Sequence, residues 1–389
     1  MVNSYIEKDD CCGCGACDNI CPSGCINMLP DEEGFYFPII NKEKCIQCGK
    51  CVKACPVLQV KKKRYRELKR PAAYACIASN EETRLQSSSG GGFSILADYI
   101  LSRHGVVFGA ALSDDCKGIG HIAVENRETL WKLRGSKYVQ SLIGRCYQEV
   151  KQYLADGRMV FFTGTPCQIE GLYRYLGRDY ENLVTADLIC HGVPSPNVWK
   201  KYIEYMEALE GAKVKQAFFR NKAYGWNKFA LLLQYDNNKV YKNELTKDLY
   251  LQAFVRNSCL RKCCHKCNFK TVERISDFTM ADLWGVENIF PDMDDDKGVS
   301  LLLVHSNKGK EIFEKIKSKC TIRDVSLDEA ISFNAPAVMS LKAHPKRDGF
   351  LKHINDMPFD KAFRKYAYVP FSLRREAGKI LHSLGLRCY

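Results

Sequence analysis

CCGCGACDNICPSGC, residues 11–25, places six cysteines in one short run. A second stretch, CIQCGKCVKACP at 45–56, repeats its central phrase. Both read C-x2-C-x2-C-x3-C-P: three thiols spaced to wrap one face of a 4Fe-4S cubane, then a proline that sends the fourth thiol the opposite way. The spacing predicts two clusters with exchanged fourth ligands. Cys11, Cys14, Cys17 and Cys55 hold the first; Cys45, Cys48, Cys51 and Cys21 hold the second. Zinc knuckles pair cysteines in twos and leave two runs of four, each closed by Pro, unexplained. Cys12 and Cys25 fall outside the pattern.

Composition agrees with metal ligation. Of 21 cysteines, ten lie in the first 55 residues at regular spacing, which fits thiolate ligands in a reducing compartment better than a disulfide framework. The formal charge of +13 counts every thiol as neutral. Ligating thiolates leave a cluster net negative, so part of the basic excess balances anionic cofactors. The N-terminus MVNSYIEKDD has no apolar signal region, and no apolar run reaches the roughly 18 residues of a membrane span. A cytoplasmic protein without a transmembrane segment is expected.

At 389 residues the chain exceeds what one core usually serves. Residues 1–60 carry eight acidic and five basic side chains, and KKKRYRELKR at 61–70 then reverses the sign. No aromatic platform or second basic patch accompanies that run, so it reads as a solvated linker rather than a nucleic-acid contact. Beyond Pro71, apolar runs such as VVFGAAL, RMVFFTG and LVTADLIC alternate with helical patterns, the signature of α/β organisation. After residue 212 come hairpin patterns (KVKQAFF, FALLLQYD, KVYKNEL), then DFTMADLWG, VSLLLVHS and amphipathic helices. The fold class is α+β: a ferredoxin-like two-cluster head, 1–60, and a linker, 61–71, precede a large α/β core, 72–200. An additional α+β portion, 201–345, and a helical C-terminal extension, 346–389, complete it.

Two loops precede helices with small residues that free backbone N–H groups for an anion. One is SSSGGGFS, with Ser88, Ser89, Gly90, Gly91 and Gly92; the other is GTPCQ, with Gly164, Thr165, Pro166 and Cys167. GIGHIA at 118–123 mimics a dinucleotide fingerprint but leads into a strand-like HIAV. Cys190 and His191 follow a strand at LICHG, where His191 is either a proton donor or a satisfied polar residue. NSCLRKCCHKCNF adds Cys259, Cys263, Cys264 and Cys267. A third metal site from Cys190, Cys259, Cys264 and Cys267 competes there with buried reduced thiols.

The phrases GSKYVQS (135–141), GTPCQIEGL (164–172), LICHGVPSP (188–196), FRNKAYGW (219–226), LRKCCHKCNF (260–269) and SDFTMADLWG (276–285) occur in one order. In that order they resemble the coenzyme F420 hydrogenase/dehydrogenase beta-subunit family, over about residues 8–350. The resemblance implies an FAD-dependent iron–sulfur oxidoreductase whose α/β core binds the flavin. SSSGGGF, GSKYVQS (Ser136, Lys137, Tyr138) and GTPCQ then become pocket candidates, Lys137 facing phosphate or ring and, with His191, supplying a proton. It also implies a third 4Fe-4S cluster at Cys190, Cys264 and Cys267, the fourth ligand being Cys259 or Cys167. Lys262-Cys263 stand where the family usually has Pro-Ser, which adds a thiol. The expected function is electron passage between the clusters and FAD, and on to an unidentified two-electron organic substrate. The alternative is an electron-transfer subunit without substrate chemistry. Expected partners are ferredoxin or another oxidoreductase subunit, an unknown small molecule, and no nucleic acid.

Overall fold

A computed structural model describes residues 1–2, 5–60, 67–68 and 70–368. Most of the expected linker and the 369–389 part of the C-terminal extension lie outside the described residues.

The head is built around its repeat. Each C-x2-C-x2-C run turns into a short helix, Ala16–Asn19 or Lys50–Ala54, through a left-handed glycine, Gly15 (φ 75°) or Gly49 (φ 69°). Only glycine takes that conformation without a Cβ penalty, so both copies carry it at the same place. An antiparallel hairpin, β1 (Ile26–Pro30) and β2 (Tyr36–Ile40), spans the sequence between the two runs.

The core is one eight-stranded sheet. Its strands are β3 (Ala72–Ala78), β4 (Val106–Leu112), β5 (Ile119–Val124), β6 (Val160–Thr163), β7 (Leu183–Leu188), β11 (Phe278–Asp282), β12 (Ser300–Val304) and β13 (Cys320–Val325), in the order β13-β3-β12-β11-β7-β6-β4-β5. β4, β6, β7 and β11 run parallel, and the outer neighbours are antiparallel. The central strands VFFT and SLLLV are buried at every position, as strands covered on both faces must be. Gly92–Leu101 and Asn307–Ile316 cover one face, Cys146–Ala155 and Pro166–Leu176 the other. β8 (Val214–Asn221), β9 (Ala230–Tyr235) and β10 (Val240–Glu244) form a separate antiparallel sheet. It packs on Pro196–Glu210, Leu249–Val255 and residues 350–367 around the fully buried Trp199, Tyr202 and Tyr250.

The sheet spans both portions expected from the sequence, 72–200 and 201–345. β11, β12 and β13 come from the second, yet they pair with β7 and β3 inside the same sheet. An apolar strand such as SLLLV cannot be left at the edge of a separate unit, so the sheet crosses the proposed cut.

Register sets the site. Asp282 pairs with Ser300, and Ser300 with Cys76, so the carboxyl ends of β3 and β11 meet the start of β12 at one edge. The loops after β6 and β7 open at that same edge, since β6, β7 and β11 are parallel. Ligand sites in open α/β sheets gather at this end.

Candidate functional site

In the head, the four thiols expected for the first cluster face one another. Cys17 lies within electrostatic reach of Cys11 and Cys55, and Cys14 of Cys17 and Cys55. All four are buried, and burial drives the Cys11, Cys17 and Cys55 thiols above their ordinary range. Thiolates form there only when a positive ligand displaces the protons and supplies the balancing charge. Among the described residues, no three His, Cys, Asp or Glu side chains close on the point a lone metal ion would occupy. Three thiols at C-x2-C-x2-C spacing with a fourth from the other run make the donor set of a four-iron cubane.

The second set is more open. Cys45 and Cys51 are half-buried and Cys48 is exposed, on the loop entering Lys50–Ala54. Cys21 joins Cys45 and Cys51 around one apolar cluster, with its Sγ 3.3 Å from that of Cys25. The run spacing gave Cys25 no role, and only this contact reveals its place beside a candidate ligand.

A third group of thiols lines a cavity at the carboxyl end of the parallel strands. Cys167 begins the helix after β6, Cys190 follows β7, and Cys264 and Cys267 come from the Lys262–Lys266 turn; Cys12 and Cys263 line it too. Cys267 lies within electrostatic reach of Cys167, Cys190 and Cys264. Burial pushes Cys190 and Cys267 up to about 12. Lys270 donates to the Cys190 carbonyl and, at 2.9 Å, to that of Pro336, and Arg274 also borders the cavity. Cys259 is not among these residues. It is fully buried in the apolar cluster of Tyr250 and Leu251, where burial raises its thiol to about 12. Of the two fourth ligands left open by sequence, the geometry brings Cys167 to the set and leaves Cys259 outside.

The head is fixed directly onto this site. Tyr147 donates to the Cys14 carbonyl at 2.9 Å and to that of Gln168 at 2.7 Å. A Cβ on Gly171 would stand 3.1 Å from the Cys14 Sγ, so the glycine lets the helix Pro166–Leu176 approach the first set. Arg261 donates to the Cys11 carbonyl at 2.7 Å and lies within electrostatic reach of Cys11, Cys12, Cys263 and Cys264. Burial lowers its guanidinium, but those thiols outweigh that and hold it above its ordinary range.

Residues 157–329 match the family model described as the C terminus of the coenzyme F420 hydrogenase/dehydrogenase beta subunit. That stretch, less than half of the chain, is similar to the beta-subunit domain. Residues 10–58 and 41–120 match models of 4Fe-4S dicluster domains. No curated protein matches the chain. A chain of the F420-reducing NiFe hydrogenase complex from Methanosarcina barkeri superposes with a TM-score of 0.46 at 17% identity, covering 78% of this chain and 93% of that one. The protein is an iron–sulfur electron-transfer protein related to that beta subunit, with a match to dicluster domains at its head. No helix among the described residues is long and apolar enough to cross a membrane.

The beta-subunit phrases meet at one edge of the sheet. Ser88 Oγ accepts from the Ser136 amide at 2.7 Å and from its hydroxyl at 3.1 Å, joining SSSGGG to GSKYVQS. Lys222 of FRNKAYGW donates to the carbonyls of Arg84, Ser89 and Lys297. Arg220 pairs with Asp282 of ADLWG, which also accepts from Trp226 at 2.8 Å. Tyr138 stacks on Phe254, ring centroids 4.4 Å apart.

The two glycine loops have packing and capping contacts of their own. A Cβ on Gly90 would meet the Cys76 carbonyl at 2.1 Å and the Ser300 amide at 2.6 Å, so Gly90 is there to lie flush on β3 and β12. Ser89 donates to the Val299 carbonyl at 2.9 Å, while Gly91 (φ 102°) and Gly92 open the helix. Around Gly164, Thr165 and Gln168 form a capping box behind Pro166, and the Thr165 Oγ1 lies 3.1 Å from the Cys167 Sγ. GTPCQ therefore faces the thiol cavity, its free amides already capped.

Of the two residues expected to move protons, His191 bonds Asn257 at 2.7 Å through Nε2 and packs its ring on Phe254. Burial lowers it to about 4, so it is neutral at pH 7. That geometry is the satisfied polar residue. Lys137 donates to the carbonyls of Lys132 (2.9 Å) and Arg134 (2.8 Å), and burial brings it down to about 7. Nearby, Arg134 Nε, Arg220 Nε and Nη2, and His121 Nδ1 are buried without a well-formed hydrogen bond, the Tyr138 hydroxyl lying beside Arg220. Arg220 is paired with Asp282 and Arg134 with Gln86, so what stands spare at this edge are single guanidinium N–H groups, which suit an anionic ligand.

Proposed function

We propose that the protein is an FAD-dependent iron–sulfur oxidoreductase that takes single electrons from an acidic carrier protein and delivers them in pairs to a small organic substrate. The observation that carries this reading is the sequence of three thiol sets, from the exposed Cys48 through Cys14 to Cys167 at the sheet edge. When bound, the clusters carry one electron at a time and the flavin pairs them, which most organic reductions need.

The chain's own residues divide the work. Cys45, Cys48, Cys51 and Cys21 hold the outer cluster at the surface, where exposed Lys42, Lys44, Lys50 and Lys53 suit an acidic donor. Cys11, Cys14, Cys17 and Cys55 hold the inner one, and Cys167, Cys190, Cys264 and Cys267 a third. Arg134 and Arg220 would hold the diphosphate of FAD, with Tyr138 and Phe254 offering an aromatic wall. Lys137, with its lowered affinity for a proton, can release one near neutral pH at its Nζ.

Anaerobic purification with iron and flavin assay tests the reading. It expects about twelve irons, four per cluster, and one FAD; eight irons with no flavin would overturn it. Reduction by an acidic ferredoxin should slow steeply as salt is raised.

A second reading is favoured by one surface. Phe333, Val338 and Met339 are exposed beside the Pro336 and Ala337 carbonyls that bind Lys270 and Arg274 of the cavity rim. An apolar patch there suits a catalytic partner protein, with no substrate chemistry in this chain. Oxidation of the reduced protein only by an added partner protein would favour it.

A further inference from the structure

We propose that Cys12, which packs on the Cys14 side of the head and lines the cavity of Cys167, is a bridging thiol that electronically couples the first head cluster to the third cluster. The proposal rests on the three-cluster reading above.

Cys12 belongs to the head by sequence, yet it lines the cavity built by loops of the core. Its thiol lies within electrostatic reach of Cys14 and of Cys167. The C-x2-C-x2-C spacing assigns ligation to its neighbours Cys11 and Cys14, which leaves Cys12 free for another task. The backbone is held so that it points there. Arg261 binds the Cys11 carbonyl at 2.7 Å. Gly13, at φ +67°, has no room for a side chain, since a Cβ would meet Gln140 Nε2 at 2.4 Å and the Tyr36 carbonyl at 2.9 Å. The turn that aims Cys12 is thus fixed from both flanks.

A thiol in that place does two things. Its S–H can donate to one ligand sulfur, and hydrogen bonds to ligand sulfurs set cluster potentials. It also replaces empty space by a sulfur-to-sulfur path from Cys14 to Cys167. One electron, delivered to the head by the carrier protein, passes from the Cys14 side to the Cys167 side. No bond forms or breaks, and Cys12 is a thiol before and after.

The test compares Cys12→Val, which keeps the bulk and removes the sulfur, with Cys12→Ser, which keeps a shorter donor. Iron content, EPR-monitored midpoint potentials and the rate of third-cluster reduction after flash reduction of the head are measured on each holoprotein. The expected result is about twelve irons in all three proteins. The rate should fall about tenfold or more in Cys12→Val and lie between the two in Cys12→Ser, with a changed potential in both. An unchanged rate and potential in a twelve-iron Cys12→Val would overturn the proposal. So would a fall to about eight irons in that variant alone, because Cys12 would then be a ligand. About eight irons in the unsubstituted protein would instead reject the three-cluster reading itself.

Discussion

At the scale of single residues, the choice between Cys167 and Cys259 is the sharpest difference the fold makes. Cys167→Ser should lower the iron content by about four atoms per chain, while Cys259→Ala should leave it unchanged and cost only packing, about 1 kcal/mol. Iron assay and EPR of the purified variants check this. The eight head cysteines were legible because their spacing is local, with ligands two or three residues apart on one tight turn. Cys167 was read both in a phosphate loop and as one of two fourth-ligand alternatives, because the other thiols of its set, Cys190, Cys264 and Cys267, lie far along the chain. Nothing short-range in GTPCQ distinguishes a capped helix facing thiols from one facing phosphate. Cys12 and Cys25 were visible as exceptions, but what they touch depends on tertiary contacts.

At the scale of elements, Gly90 and Glu207 show how loops and helices are locked to strands. Gly90→Ala forces a Cβ against two backbone atoms that cannot yield, the Cys76 carbonyl and the Ser300 amide. A loss of about 3 kcal/mol in denaturant unfolding is expected. Glu207, near the end of Pro196–Glu210, accepts from the Val214 amide and Lys213 at 3.1 Å each and pairs with Lys117 at 2.9 Å. Burial alone would raise its carboxyl, but Lys117 and Lys213 hold it below the usual range. Its stabilisation is therefore present at neutral pH and is lost as pH falls through that lowered value. Glu207→Gln should cost about 1 kcal/mol at pH 7, and the two proteins should converge in melting temperature below about pH 4. The strands themselves were largely legible: VVFGAAL is β4, and the decoy GIGHIA lies on the β4-to-β5 turn and β5. Their order in the sheet was not, because β12 and β13 reach β3 only through pairings across more than two hundred residues.

At the scale of the whole molecule, the head is strapped to the core by side chains late in the sequence. Arg347, almost fully buried, forks onto Glu33 at 3.0 and 2.6 Å and donates to the Leu260 carbonyl at 2.6 Å. Arg347→Met strands the Glu33 carboxylate in a largely closed site, so a loss of about 3 kcal/mol is expected. Limited proteolysis should then release a fragment near residues 1–60 that resists cleavage in the unsubstituted protein. Arg261 is a buried cation set among thiols that would become anionic on ligation.

The late position of Arg261 and Arg347 has a bearing on biosynthesis. The head leaves the ribosome first, whereas its clamps follow some 200 to 290 residues later. At translation speeds of roughly 5 to 20 residues per second, the cysteine runs wait on the order of 15 to 60 s before the surface that shields them exists. During that interval the thiols of residues 11–55 are open to oxidants, and cluster assembly on the nascent chain competes with their oxidation. Oxygen exposure during expression should therefore cost more iron than the same exposure after folding is complete.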